Sequence, residues 1–156
     1  AAFAEAVSDD AVKTAFLYNF FKFIKWPDEA TNSDAFVLCT TNNDHLGDSL
    51  WVLKSKTVAN KPMVVRRGVE GKSLKGCHLL YISASENEDA IIRSVKDLPM
   101  VTVGDTPNFI EQGGMIGLVP VENRLGFEIN LDAASVGGIT IKAQMLQLAK
   151  RVISSK

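Results

Sequence analysis

Apolar and polar positions alternate most regularly between residues 113 and 131, GGMIGLVPVENRLGFEINL. Leu125, Phe127, Ile129 and Leu131 fall on one side of an extended chain; Arg124, Gly126, Glu128 and Asn130 fall on the other. A period of two is that of a strand with one buried face. Residues 115–121 read as its partner strand, with Glu122-Asn123 as the tight turn between them. Gly113-Gly114 reads as the stop of a preceding helix.

The rest of the chain alternates between helical and strand periods. Asp9 and Asp10 can cap a helix running to about Trp26, where Pro27 ends it. On it Val12, Phe16, Leu17, Phe20, Phe23 and Ile24 share an arc, with Phe21 at its edge. Thr14, Tyr18, Asn19, Lys22 and Lys25 lie opposite, and Lys13 breaks the pattern. Such a face serves a membrane, a partner or the domain's own core; its high hydrophobicity and short flanks favour the core. Residues 35–41 read as a strand, and Asp44 as the cap of a helix over 45–54. Residues 61–67 are rich in strand formers, and 72–76 are a polar connector. The apolar run 77–83 suits a strand buried on both faces. Ser83 with Glu86, and Ser85 with Glu88, each match a capping box opening a helix to about Asp97. A strand over 100–103 follows, then a short helix from Thr106-Pro107 to Gln112.

After the hairpin, residues 132–136 predict one helical turn, stopped by Gly137-Gly138. Thr140 is the expected cap of a last helix reaching Ile153. Ile141, Met145, Leu146, Leu148, Ala149, Val152 and Ile153 share its apolar arc; Gln144, Gln147, Lys150 and Arg151 lie opposite. Lys142 falls on the apolar side, either snorkelling to the core's rim or reaching a ligand. The whole predicts an α/β single domain: a mixed β-sheet flanked by helices in Rossmann-like layers, with a late β-hairpin and a C-terminal helix.

At 156 residues the chain is expected to fold as one domain. A net charge of −1 and the lack of a long basic run argue against nucleic acid. No apolar run approaches the roughly 18 residues that span a bilayer, so membrane insertion is not expected. Ala2-Phe3-Ala4 has the small-x-small form seen before a signal-peptidase cut, although an arbitrary start explains it equally. The expectation is a secreted mature protein with residues 1–8 as its tail and residues 9–154 as its domain.

Catalytic chemistry finds little support. Gly47-Asp48-Ser49-Leu50 spells the GDSL of an esterase family, whose serine needs a histidine base. The two histidines, His45 and His78, lie far from the C-terminal position that family uses, and the motif sits inside an expected helix. No pair of Cys or His has metal-ligand spacing. Cys77 and His78 are adjacent, so on a strand they face opposite sides; a buried thiol and a satisfied histidine are the better readings. The glycines at 113, 114 and 117 precede a strand and do not make a dinucleotide fingerprint. A helix opening at Thr106 could hold an anion, but no basic residue adjoins it. Cys39 and Cys77 fit two buried thiols; in an oxidising compartment with neighbouring strands, a disulfide would close a loop worth roughly 4 kcal/mol. Arg124, Glu128 and Asn130 share the polar face of the second hairpin strand, either solvated or recognising a partner or a small zwitterion.

AVKTAFLYNFFKFIKWP, FVLC, KPMVVRR, GCHLLYIS, VTVGD, GGMIGLVPVENRLGFEINLDAA and QMLQLAKRV, in this order and spacing, resemble the YfiR family over residues 11–152. The resemblance implies a small periplasmic, non-enzymatic protein without cofactor or metal. It implies repression of an inner-membrane diguanylate cyclase (YfiN-like) by binding its periplasmic region, lowering cyclic di-GMP and biofilm formation. A YfiB-like outer-membrane lipoprotein that relieves the restraint, and a homodimer, are further implied partners. It also implies a Cys39–Cys77 bridge; the family's second cysteine pair has no match, since Met115, Ile116, Gly117 and Leu118 stand there. Glu128, in the matching FEIN segment, is the main partner-binding residue carried over. Arg124, Phe127, Asn130, Lys142 and Gln144 join it by proximity. The alternative is a periplasmic small-ligand sensor feeding a histidine kinase or transporter.

Overall fold

Ten strands and four α-helices are arranged about two apolar layers in the computed structural model, which describes residues 9–85 and 87–155. The expected tail, residues 1–8, lies outside them. The strands are β1 (Ile24–Lys25), β2 (Phe36–Thr40), β3 (Thr57–Val58), β4 (Lys61–Arg66), β5 (Leu79–Ile82), β6 (Val101–Gly104), β7 (Ile116–Val121), β8 (Arg124–Asn130), β9 (Thr140–Ile141) and β10 (Arg151–Ile153). The helices are α1 (Asp9–Phe23), α2 (Glu88–Val95), α3 (Leu131–Val136) and α4 (Ala143–Leu148).

Eight strands form one mixed sheet in the order β10-β8-β7-β6-β5-β2-β4-β3. Its centre, β7-β6-β5-β2-β4, is parallel; β3 runs antiparallel to β4 and β8 antiparallel to β7, while β10 is parallel to β8. The chain builds outward from β2 to β4, then returns to the other side for β5, β6 and β7. That reversal is the doubly wound plan, with its switch point between β2 and β5.

Alternation along each strand feeds two cores. Leu38, Leu79, Tyr81, Val101, Val103, Ile116, Phe127 and Ile129 face α1, α3, α4 and a 3-10 segment, Gly47–Ser55. Cys39, Leu80, Ile82 and Met100 face the other way, onto α2 and the turns that carry Phe109 and Ile110. β5 is buried at every position, as its unbroken apolar run requires. The aromatics of α1 belong to the domain's own core: Phe20 meets Phe127 edge-on, and Phe21 stacks on Trp26.

The elements depart from the sequence pattern at several places. α1 stops at Phe23, and Ile24–Lys25 instead pair with Thr140–Ile141. Its buried stripe is rotated to include Thr14 and Phe21, because Thr14 Oγ1 meets Ser49 Oγ at 2.9 Å. The helix expected over 45–54 is a 3-10 segment, and the one expected over 106–112 is a series of turns. The Ser85–Glu88 capping box does not form on α2: its N-cap is Asn87, which makes no side-chain cap bond, and Glu88 accepts from Thr106; the box expected from Ser83 involves Glu86, which lies outside the described residues. The C-terminal helix is present but short. It ends at Leu148, and residues 151–153 pair with β8, satisfying backbone groups that would otherwise form a bare sheet edge. Leu148, expected in the core, is 71% exposed.

Candidate functional site

The polar face of β8 leads to the first candidate surface. β10 lies parallel to β8 with Arg151 opposite Glu128. Arg151 Nε donates to Glu128 Oε2 at 3.1 Å, and its Nη2 donates to Glu111 Oε2 at 2.5 Å. One guanidinium thus joins carboxylates from two elements on the exposed end of the sheet. The hydrogen bonds from Arg151 hold the Glu111 carboxyl below its ordinary value; the bonds to Glu128 and Glu111 hold the guanidinium above its own. Glu128 is therefore engaged within the chain, its side chain 13% exposed. A ligand approaching it meets a carboxylate–guanidinium–carboxylate row, its one net negative charge spread over three groups, not a lone carboxylate.

The other residues picked out by sequence do not gather around Glu128. Arg124 is exposed at the hairpin turn and lines an open cleft of about 940 Å³ shared with Lys13, Phe16, Asp105 and Pro120. Phe127 is 7% exposed, its ring edge-on to Phe16 and Phe20, so it has almost no surface of its own. Asn130 is occupied twice: Oδ1 caps α3 by accepting the Ala133 N–H at 3.0 Å, and Nδ2 donates to the Ile110 carbonyl. Lys142 and Gln144 are exposed at the start of α4, beside the β1–β9 pair, where the Lys142 N–H bonds to the Phe23 carbonyl. Arg151 and Glu111 were not legible as site residues, because they lie 23 and 17 positions from Glu128 and meet it through strand pairing and a turn.

A second region lies at the carboxyl ends of the parallel strands. Asp44 accepts from Thr40 Oγ1 at 2.5 Å, from the Leu46 N–H at 2.8 Å, and from Arg67 at 2.6 and 3.0 Å. Burial pushes the Asp44 carboxyl up; the bonds from Arg67, Thr40 and Leu46 outweigh it, leaving the group below its ordinary value. Asp105 accepts from Lys13 at 2.6 Å and from the Tyr81 hydroxyl at 2.8 Å. Beside the switch point, Thr41, Asn42, Asn43, Gly71, Ser85 and Asn87 line a pocket of about 440 Å³. Open α/β sheets hold small ligands outside these strand ends.

Catalytic and metal chemistry gain no ground. Ser49 Oγ donates to the Leu46 carbonyl at 2.6 Å and shares a hydrogen bond with Thr14, neither of which can take its proton. His78 is held at both ring nitrogens: Nδ1 accepts the Val37 N–H at 3.0 Å, so Nε2 carries the proton donated to the Ala30 carbonyl. Burial pushes His78 below its ordinary value, which favours this neutral form. Cys77 does not remain a thiol. It is bonded to Cys39, with Cα atoms 5.9 Å apart, just before β5 and on the neighbouring β2. No group of three or more His, Cys, Asp and Glu suited to a metal occurs among the described residues.

A family model described as YfiR/HmsC-like matches residues 10–150. The chain belongs to this family. YfiR/HmsC-like proteins are regulatory and non-catalytic, acting in the periplasm on other proteins, a general character that suits an exposed polar cluster better than a reaction centre. The match runs from the start of α1 to the residue before β10, so it takes in both cores and the late hairpin. No helix among the described residues is long and apolar enough to cross a membrane.

Proposed function

We propose that this protein is a periplasmic, non-enzymatic regulator. It binds the periplasmic region of a YfiN-like inner-membrane diguanylate cyclase and holds that enzyme inactive, lowering cyclic di-GMP and biofilm formation. The family match over residues 10–150 carries this reading. Restraint follows by population shift: a regulator that binds the inactive state more tightly than the active one draws the cyclase toward it. A YfiB-like outer-membrane lipoprotein would relieve the restraint by competing for the regulator, and the regulator would act as a homodimer.

The proposed contact surface is the sheet end built by β8, β10 and the hairpin turn. Arg124 supplies an exposed cation there. Glu128 contributes through its pairing with Arg151, which fixes two opposite charges in one orientation and so favours a partner with the reverse pattern. Phe127 supports this surface from beneath, and Asn130 holds the Ile110 carbonyl beside it; Lys142 and Gln144 form a separate exposed site by α4. Capture from solubilised inner membranes tests the reading. The wild-type protein is expected to retain a membrane protein bearing a cyclase domain, and Arg124→Glu is expected to retain at least about tenfold less, the size of a lost and reversed interfacial charge. Equal capture by both would remove the hairpin end from the interface.

The pocket beside the switch point supports a second reading, in which a small polar ligand binds there and its occupancy is relayed to a histidine kinase or transporter. A ligand that raises the melting temperature in wild type but not in Asn43→Leu would favour it.

A further inference from the structure

The net charge of −1 conceals a strong asymmetry. Residues 51–76, WVLKSKTVANKPMVVRRGVEGKSLKG, hold seven Lys and Arg against one Glu, a formal +6. The chain contains 17 Lys and Arg and 18 Asp and Glu, so the remainder holds ten against seventeen, a formal −7. The fold collects the basic stretch at one end, since β4 and β3 are the last two strands of the sheet and the 3-10 segment Gly47–Ser55 packs beside them. Among the described residues, the basic side chain of this stretch with an acidic partner is Arg67, paired with Asp44. Arg66 bonds to the Ser73 carbonyl and Lys61 to the Thr31 carbonyl, which leaves their charge uncompensated.

Apolar side chains stand among these charges. Trp51 is 42% exposed, with Lys54 Nζ and Arg67 Cζ each 5.2 Å from its ring. Val52 and Val64 are 57% and 40% exposed. A half-exposed indole between cations, with aliphatic neighbours, has the chemistry of the headgroup boundary, where ring and stem enter the acyl margin and charge meets phosphate. The edge itself disfavours a protein strand as occupant. β3 is two residues long, and Lys56, Lys61 and Pro62 flank or fill the edge pair, the devices that blunt strand addition. A diffuse positive surface matches a diffuse negative one.

We infer that the β3–β4 end, centred on Trp51, Lys54 and Lys56, adsorbs the protein reversibly to an anionic phospholipid surface. Adsorption does not depend on the cyclase reading, and its test contains no partner protein. Flotation with vesicles of phosphatidylglycerol and phosphatidylcholine, against phosphatidylcholine alone, reads it directly. Wild type is expected to float with the anionic vesicles and to be released as salt shortens the Debye length. The doubly reversed variant Lys54→Glu/Lys56→Glu is expected to bind roughly tenfold more weakly or less. Lys96→Glu, the same type of change at an exposed lysine outside the basic stretch, is expected to bind as wild type. Brominated lipid should quench Trp51 emission, read in a Trp26→Phe background, and circular dichroism should report an unchanged fold for the exposed-lysine variants. Equal flotation with both vesicle types, wild-type binding by the Lys54→Glu/Lys56→Glu protein, or binding to an acidic polypeptide but not to vesicles would overturn the inference.

Discussion

Two residues show how differently burial and pairing act at the scale of a side chain. Phe127 lies between Phe16 and Phe20 and is 7% exposed. Removing its ring leaves a cavity beneath α1, so Phe127→Ala is expected to cost about 3–5 kcal/mol. A urea titration should show the midpoint falling accordingly; a shift under about 1 kcal/mol would mean that the ring is not a core residue. Glu88 is the reverse case. It is 6% exposed, Thr106 donates to Oε2, and Oε1 has no hydrogen-bond partner. Burial pushes its carboxyl up, the Thr106 bond pulls it down, and the charges of Asp89 and Asp105 push it up further, leaving it above its ordinary value of 4.5. A carboxyl raised by folding favours the fold below that ordinary value, and the benefit is lost as pH rises through the folded value. Glu88→Gln should therefore be more stable than wild type at pH 7, by about 1 kcal/mol. The gain should vanish below about pH 4.5. Equal stability at both pH values would show that Oε1 is solvated.

Strands and helices were legible where a residue's partners are local. The hairpin's alternation, the unbroken apolar run of β5 and the aromatic face of α1 each report burial through neighbours a few positions away. The end of the chain was not legible in this way. Val152 and Ile153 fall on a helical arc with Met145, yet the free edge of β8 takes them as a strand, and only the sheet order reveals that edge. The Glu111–Arg151–Glu128 row was hidden for the same reason. The partner residues proposed from family likeness separated on folding, since a strand sends Phe127 and Glu128 to opposite faces. At this scale the disulfide gives the sharpest expectation. It ties β2 to the approach of β5 across 38 positions. Its removal by Cys39→Ala/Cys77→Ala is expected to lower stability by about 2–4 kcal/mol. Thermal unfolding of the double variant and of wild type with and without reductant measures this; an unchanged transition in both would mean that the bridge does not support the fold.

As a whole molecule, the protein divides its surface by sheet position. The β10 end carries the mixed-sign row and lies near the hairpin, while the β3 end carries the excess of positive charge. This separation allows one end to meet a protein while the other meets a charged surface, and neither task needs a reaction centre. The proposed action is restraint of a cyclase by binding. Its most direct test is the cyclic di-GMP content of cells lacking this protein, compared with cells in which wild-type or Arg124→Glu protein is restored to the periplasm at equal levels. Cyclic di-GMP is expected to be high in the deletion, to return to low levels with wild type, and to return little with Arg124→Glu. Unchanged cyclic di-GMP on deletion, in cells whose cognate cyclase is intact, would contradict it.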